Sequence, residues 1–199
     1  MKVVGLLGGV ASGKSLVARQ LCDLGAGLLD GDRAGHEALR LPEVQRLVKE
    51  RWGEAVFAAD GQVDRRALAR IVFAPPPGGP CELEHLERIT HPRITQSLRD
   101  QIAALAAEGR PAAVLDAPVM LKAGWHEFCH FIVFVDVSKE VRQVRSQQRG
   151  WSQEDFAARE AAQESLDVKR RLADTIVDNS GSPEATRAQV ERLWRSLVG

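Results

Sequence analysis

Gly8-Gly9-Val10-Ala11-Ser12-Gly13-Lys14-Ser15 decides how this chain is read. The spacing is G-x-x-x-x-G-K-[ST], the pattern of a phosphate-binding loop, or P-loop. Val3, Val4, Leu6 and Leu7 before it read as a buried strand. Leu16, Val17, Leu21 and Leu24 after it fall toward one side of a helix. The motif therefore stands between a strand and a helix N-terminus, where its physics requires it. Glycines let the backbone turn until successive N–H groups converge on a polyphosphate, and the helix dipole adds positive potential. Lys14 would reach the β- and γ-phosphates, and Ser15 would offer its hydroxyl to Mg²⁺. The stretch implies a nucleoside triphosphate and leaves the phosphate acceptor unspecified.

The length of 199 residues suits one core domain with inserted pieces. Basic and acidic residues balance at 27 each, so no global field draws in nucleic acid. Cys22, Cys81 and Cys129 are widely spaced, odd in number and lack zinc-site pairing. They predict free thiols in a reducing compartment. The amino end enters a strand at once, unlike a signal peptide, and no apolar run is long enough to span a bilayer. The expectation is a cytoplasmic protein acting on small molecules, without nucleic-acid or membrane partners. The oligomeric state stays open.

Further along, Leu28-Leu29 predicts a short second strand ending in Asp30-Gly31-Asp32. Ligands of open α/β sheets bind beyond the carboxyl ends of strands. Asp32 is therefore a candidate for chemistry, one strand over from the P-loop strand, and Asp30 a candidate turn or helix cap. Pro42 opens a helix that Gly53 ends, and Asp60-Gly61 marks a turn. Asp64 suits the N-cap of a short helix through Leu68, Ile71 and Val72. Arg65 and Arg66 lie in its first turn, the wrong end for cations serving the dipole. They are either ligand contacts or a solvated face. The proline-rich run from Ala74 to Pro80 predicts a break. A helix then resumes with Leu83, Leu86 and Ile89, and His91-Pro92 interrupts it before a second helix through Ile94, Leu98, Ile102 and Leu105. His91 is a ligand contact or satisfies a backbone group at that junction.

Ala112–Asp116 and Phe131–Asp136 read as buried parallel strands, each ending in an acid. One of the two acids is expected to serve the metal. Asp116 is preferred, because Asp136 precedes Ser138, where a helix starts and capping would employ it. Arg142, Arg145 and Arg149 follow i, i+3, i+7 spacing on that helix. Gly150 and a capping-box-like Ser152-Gln153-Glu154-Asp155 then give a helical elbow with basic residues, which is either a lid that closes over a nucleotide or a salt-bridged surface helix, the lid being preferred. Lys169-Arg170-Arg171 leads into a short last strand at Thr175-Ile176-Val177, the Asp178-Asn179-Ser180-Gly181 loop, and a final helix opened by Ser182-Pro183.

Taken in order, these blocks resemble the dephospho-CoA kinase family nearly end to end. The resemblance rests on Gly5 to Ser15, Asp30-Gly31-Asp32, Asp60 to Leu68, His91-Pro92, Leu115-Asp116-Ala117-Pro118 and Val133-Phe134-Val135-Asp136. Arg145 with Arg149, Ala161-Ala162-Gln163 and Ile176 to Gly181 complete it. It implies an α/β fold: a P-loop NTPase-type, five-stranded parallel sheet flanked by helices, with an inserted helical acceptor-binding segment and a helical lid. On this reading the core is 1–32, 111–142 and 172–199, the acceptor (CoA-binding) segment 33–110 and the lid 143–171. The implied activity is ATP-dependent phosphorylation of the ribose 3′-hydroxyl of dephospho-CoA, with Mg²⁺. Lys14, Asp32, Arg145 and Arg149 would be catalytic, with Asp32 at the acceptor hydroxyl. Gly8 to Leu16 and Asn179 would bind ATP, the loop at Asn179 lying by the adenine. Asp32, Arg65, His91 and Asp116 would bind the acceptor, and Ser15 and Asp116 the metal. The sequence departs from the family pattern at Leu7 (usually Thr), Ala11 (usually Gly) and Lys122 (usually acidic).

Two other readings share the P-loop. A nucleoside or nucleotide kinase fits the core, but fits the Asp60–Leu68 and Asp178–Gly181 blocks less well. A regulatory P-loop ATPase is the third; a guanine-specific switch would want an Asn-Lys-x-Asp loop, and the sequence has none.

Overall fold

Five strands make one all-parallel sheet in the computed structural model, which describes residues Met1–Gly199. They are β1 (Lys2–Gly8), β2 (Gly27–Asp30), β3 (Ala112–Asp116), β4 (Phe131–Asp136) and β5 (Thr175–Asp178), in the order β2-β3-β1-β4-β5. Parallel strands buried on both faces read as continuous apolar runs, and Val3 to Leu7, Ala112 to Leu115 and Val133 to Val135 are all buried. The expected neighbour relation is corrected: β3 lies between β1 and β2, so Asp30 pairs in register with Asp116 and not with the P-loop strand. Periodicity reveals a strand but not its partners, which are set by long-range crossovers.

Nine α-helices accompany the sheet: α1 (Lys14–Asp23), α2 (Gly31–Ala38), α3 (Pro42–Trp52), α4 (Arg65–Val72), α5 (Gly78–Ala107), α6 (Lys139–Gln148), α7 (Gln153–Ala161), α8 (Leu166–Arg171) and α9 (Pro183–Val198). The chain divides into two compact units, one of Met1–Asp30 with Gln101–Gly199, the other of Gly31–Asp100. In the first, Val17, Ala18 and Leu21 of α1 and Val190, Leu193 and Leu197 of α9 pack with Val4, Leu6, Val133 and Val135. In the second, Val44 and Val48 of α3 and Leu68 and Val72 of α4 form a separate core around Val56.

The expected caps are present. Asp64 accepts from the N–H groups of Arg66 and Ala67, Gly53 has φ 71° after α3, and Ser152 with Asp155 forms a complete capping box. Of the two expected breaks, the proline-rich run does separate α4 from α5, although α5 already starts at Gly78. The other is not present: residues 78–107 form one helix, so His91-Pro92 does not end it. Pro80 is its third residue, and N–H groups of a first turn have no helical partner to lose. Pro92 removes one interior hydrogen bond, yet Thr90, Ile94 and Leu98 are buried on either side and hold the helix together.

Candidate active site

At the carboxyl end of β1 the chain turns through the P-loop into α1. Its carbonyls are held from outside by side chains of later elements. Lys169 Nζ donates to Gly8 O at 3.4 Å, and Arg142 Nη1 to Val10 O at 3.4 Å. Asn179 Nδ2 donates to Ser12 O at 2.8 Å, with Arg145 Nη1 at 3.4 Å from the same oxygen. Lys14 Nζ itself lies 3.4 Å from Gly9 O. Ser12 N–H closes the loop on Gly9 O at 3.2 Å, and successive N–H groups of such a turn make an anion-binding concavity. Ser12 Oγ is buried without a partner, a further polar atom in the loop.

Two P-loop positions call for glycine. Gly13 has φ +90°, and a Cβ there would lie 2.1 Å from Asn179 Nδ2. A Cβ on Gly9 would lie 2.7 Å from Nη1 of the buried Arg142. Ala11 is the exception: it holds φ 58° with a methyl, which packs with Val10, Phe156 and Trp151.

Ser15 Oγ donates to Asp116 Oδ2 at 2.9 Å, joining the start of α1 to the end of β3. These are hard oxygen donors of the kind Mg²⁺ takes, two in number, which suits an ion whose remaining ligands are phosphate and water. No group of three or more His, Cys, Asp or Glu side chains is arranged to hold a metal ion. Asp136 is occupied elsewhere. It accepts from Arg170 Nη1 at 2.6 Å, while Ser138 supplies the cap of α6 that was expected of Asp136.

Lys14 is a crowded cation. Burial pushes its pKa down, Asp116 opposes that shift, and Arg149 and Arg142 reinforce it. A polyanion entering here would relieve the repulsion among them.

The three arginines on one face separate into different tasks. Arg142 is 3% exposed; it pairs with Glu160 of α7 and lies over the Phe156 ring. Arg145 is committed to Ser12 O and, at 2.8 Å, to Asn179 O. Arg149 is the C-cap of α6, exposed, and 5.9 Å from the Trp151 ring centre.

Among the other expected residues, Asn179 is 2% exposed, and its amide is spent on Ser12 O and on accepting from Thr186 Oγ1 at 2.8 Å. Its side chain thus braces the P-loop. Asp32 stands in the first turn of α2, two residues past the end of β2. Arg65 opens α4 and is exposed, and His91 lies within α5, half-buried, with no junction to serve. Leu16 follows Ser15 in α1, half-buried. Sequence reading gave Lys169 no role, naming it only in the run Lys169-Arg170-Arg171 ahead of the last strand. Only the register of α8 shows that Lys169 turns inward while Arg170 and Arg171 stay exposed.

The family model for dephospho-CoA kinase matches residues 2–184. The chain belongs to the dephospho-CoA kinase family. A dephospho-CoA kinase of Symbiobacterium thermophilum is 42% identical over 203 residues, covering 100% of this chain and 82% of its own length. One from Carboxydothermus hydrogenoformans is 37% identical, covering 96% and 91%. A crystal structure from Thermus thermophilus superposes with a TM-score of 0.83 at 32% identity, over 100% of this chain and 98% of that one. The dephospho-CoA kinase of Campylobacter jejuni, at 21% identity and a TM-score of 0.67, shares the fold. These relatives make the chain a kinase, and nothing in the set favours a nucleotide kinase or a regulatory ATPase.

Proposed function

We infer that this protein transfers the γ-phosphoryl group of ATP to the ribose 3′-hydroxyl of dephospho-CoA. The observation that carries the reading is the P-loop with its carbonyls pinned outward and Lys14 and Arg149 gathered at one anion site, in a chain of this family. Phosphoryl transfer needs little covalent help from protein, so position and charge supply most of the acceleration. The P-loop amides and Lys14 hold the triphosphate. Arg149, exposed at the elbow after α6, takes the transferring oxygens, while Arg145 keeps the loop and Asn179 in place. Asp32, at the head of α2, orients the acceptor hydroxyl and accepts its proton as the O–P bond forms; ADP leaves with the electron pair of the broken bond. Ser15 and Asp116 would hold Mg²⁺, which when bound neutralises charge on the phosphate oxygens. The segment 33–110, with Arg65 and His91, binds the acceptor, and 143–171 closes as the lid. The setting is the cytoplasm, a reading that the three free thiols support. No helix is long and apolar enough to cross a membrane.

A coupled assay of ADP release with Mg-ATP and dephospho-CoA tests this. Turnover should depend on dephospho-CoA and be negligible with nucleoside monophosphates. Lys14→Ala should lower kcat by at least ~100-fold with the fold intact, as expected for loss of one charged contact to the transferring group. Asp32→Asn should lower kcat with ATP affinity little changed. A near-normal kcat for the Asp32 variant would remove that residue from the mechanism.

A further inference from the structure

Lys169 is a buried ammonium that the reaction as written does not use. It is 3% exposed, on α8, with Nζ 2.8 Å from Gln163 Oε1 and 3.4 Å from Gly8 O. Gly8 is the last residue of β1 and the root of the P-loop; Gln163 lies in the connection between α7 and α8. A cavity of about 190 Å³ adjoins it, lined by Gly9 and Val10 of the P-loop and by Glu160, Gln163 and Glu164 of the lid. A desolvated ammonium is costly to keep charged, so its placement against two neutral oxygens calls for a counter-charge that the free protein does not fully supply. Glu160 is already paired with Arg142.

We propose that Lys169 is a positioning residue for phosphoryl transfer: its ammonium joins the Gly8 carbonyl to Gln163, and a triphosphate bound in the P-loop is the charge that holds it there. It acts through the loop and lid connection and does not touch the reacting atoms. The groups around it are Lys14 on α1, Arg142 on α6, Glu160 on α7 and Glu164 beyond it. Burial, then Lys14, push its pKa down to about 8, so the ammonium is half neutral near that pH before ligand arrives. A bound triphosphate offsets Lys14 and raises the pKa of Lys169, so ATP binding near pH 8 takes up a proton.

The inference rests on the kinase reading for its rate test but not for its binding test. For the first, kcat/KM for ATP is followed from pH 6.5 to 9.5. The wild type should fall above about pH 8, while kcat, which reports the loaded enzyme, should fall only at higher pH. Lys169→Arg stays charged and should lose the limb near pH 8. Lys169→Met should lower kcat/KM for ATP about 10- to 100-fold at pH 7, the size of a lost charge-assisted hydrogen bond. Gln163→Glu should move the limb upward, because a carboxylate replaces the neutral oxygen. For the second, Mg-ATP is titrated calorimetrically at pH 8 in buffers of different ionisation enthalpy. Proton uptake should appear in the wild type and vanish in Lys169→Arg.

A limb that survives in Lys169→Arg, or equal uptake in both proteins, assigns the titration to Lys14 and overturns the proposal. Should Lys169→Met not fold, the Arg and Gln163 variants decide. A wild type that binds ATP with proton uptake yet ignores dephospho-CoA would defeat the kinase reading and leave Lys169 standing.

Discussion

At single residues, two left-handed positions of the P-loop, Ala11 and Gly13, meet opposite fates. Ala11 stands at φ 58°, in the left-handed region. An L-residue there costs about 1–2 kcal/mol. Glycine would relieve that, but would lose a buried methyl worth about 0.8 kcal/mol and add roughly 0.5–1 kcal/mol of chain entropy to the unfolded state. The terms cancel. Ala11→Gly should therefore shift Tm by no more than about 3 °C and leave ATP binding unchanged. Gly13→Ala has no such compensation, because the new Cβ would lie 2.1 Å from the Asn179 amide at φ +90°. It should push Asn179 off Ser12 O and weaken ATP binding at least ~10-fold, read by calorimetry. Spacing alone located Gly13 and Lys14. It did not show that Asn179 is the wall Gly13 leans on, because that contact joins residues far apart in the chain.

Among the elements, α7 rests on a single large anchor. Phe156 is its one buried residue, packed on Val10 and Ala11 and faced by the Arg142 guanidinium. Trp151, beneath Arg159 at 4.2 Å, covers the edge of the same cluster. Phe156→Ala should cost the local structure about 3 kcal/mol or more. The large core of α1, α9 and the sheet does not include Phe156, so the loss should be regional. Amide exchange should accelerate through 153–171 while β1, β3 and β4 stay protected. Uniform acceleration would mean that residues 153–171 and the sheet unfold together. The helices themselves were legible where local chemistry sets them: Asp64 and Ser152 cap as read, and α9 opens at Ser182-Pro183 as expected. The long α5 was not, because proline's local cost was overridden by burial around it.

For the whole molecule, fold class and function were legible from ordered blocks of sequence, whereas the place of β3 between β1 and β2 was not. Local patterns carry no information on which crossover is taken; Ser15 and Asp116 were both assigned to the metal, and the sheet order is what puts Ser15 Oγ 2.9 Å from Asp116 Oδ2. The same dependence on local chemistry sets the acid stability. Asp64, Asp155, Glu140 and Glu184 have their pKa values lowered, and in each the largest cause is a hydrogen bond from a backbone N–H; for Asp178 it is the Ser180 side chain, and for Glu82 that of Arg51. With folded values depressed, the unfolded chain binds more protons near pH 4, so stability rises with pH there. The contribution is complete above about pH 5 and is lost as pH falls through the folded values. Thermal melts from about pH 2.5 to 6 should show Tm falling steadily below about pH 4.5. Because short hydrogen bonds dominate over distant charges, about 0.5 M NaCl should leave that slope nearly unchanged at a Debye length of about 4 Å. A slope that flattened in salt would instead place the acid sensitivity in the surface ion pairs, such as Arg33–Glu37 and Arg46–Glu50, which salt does screen.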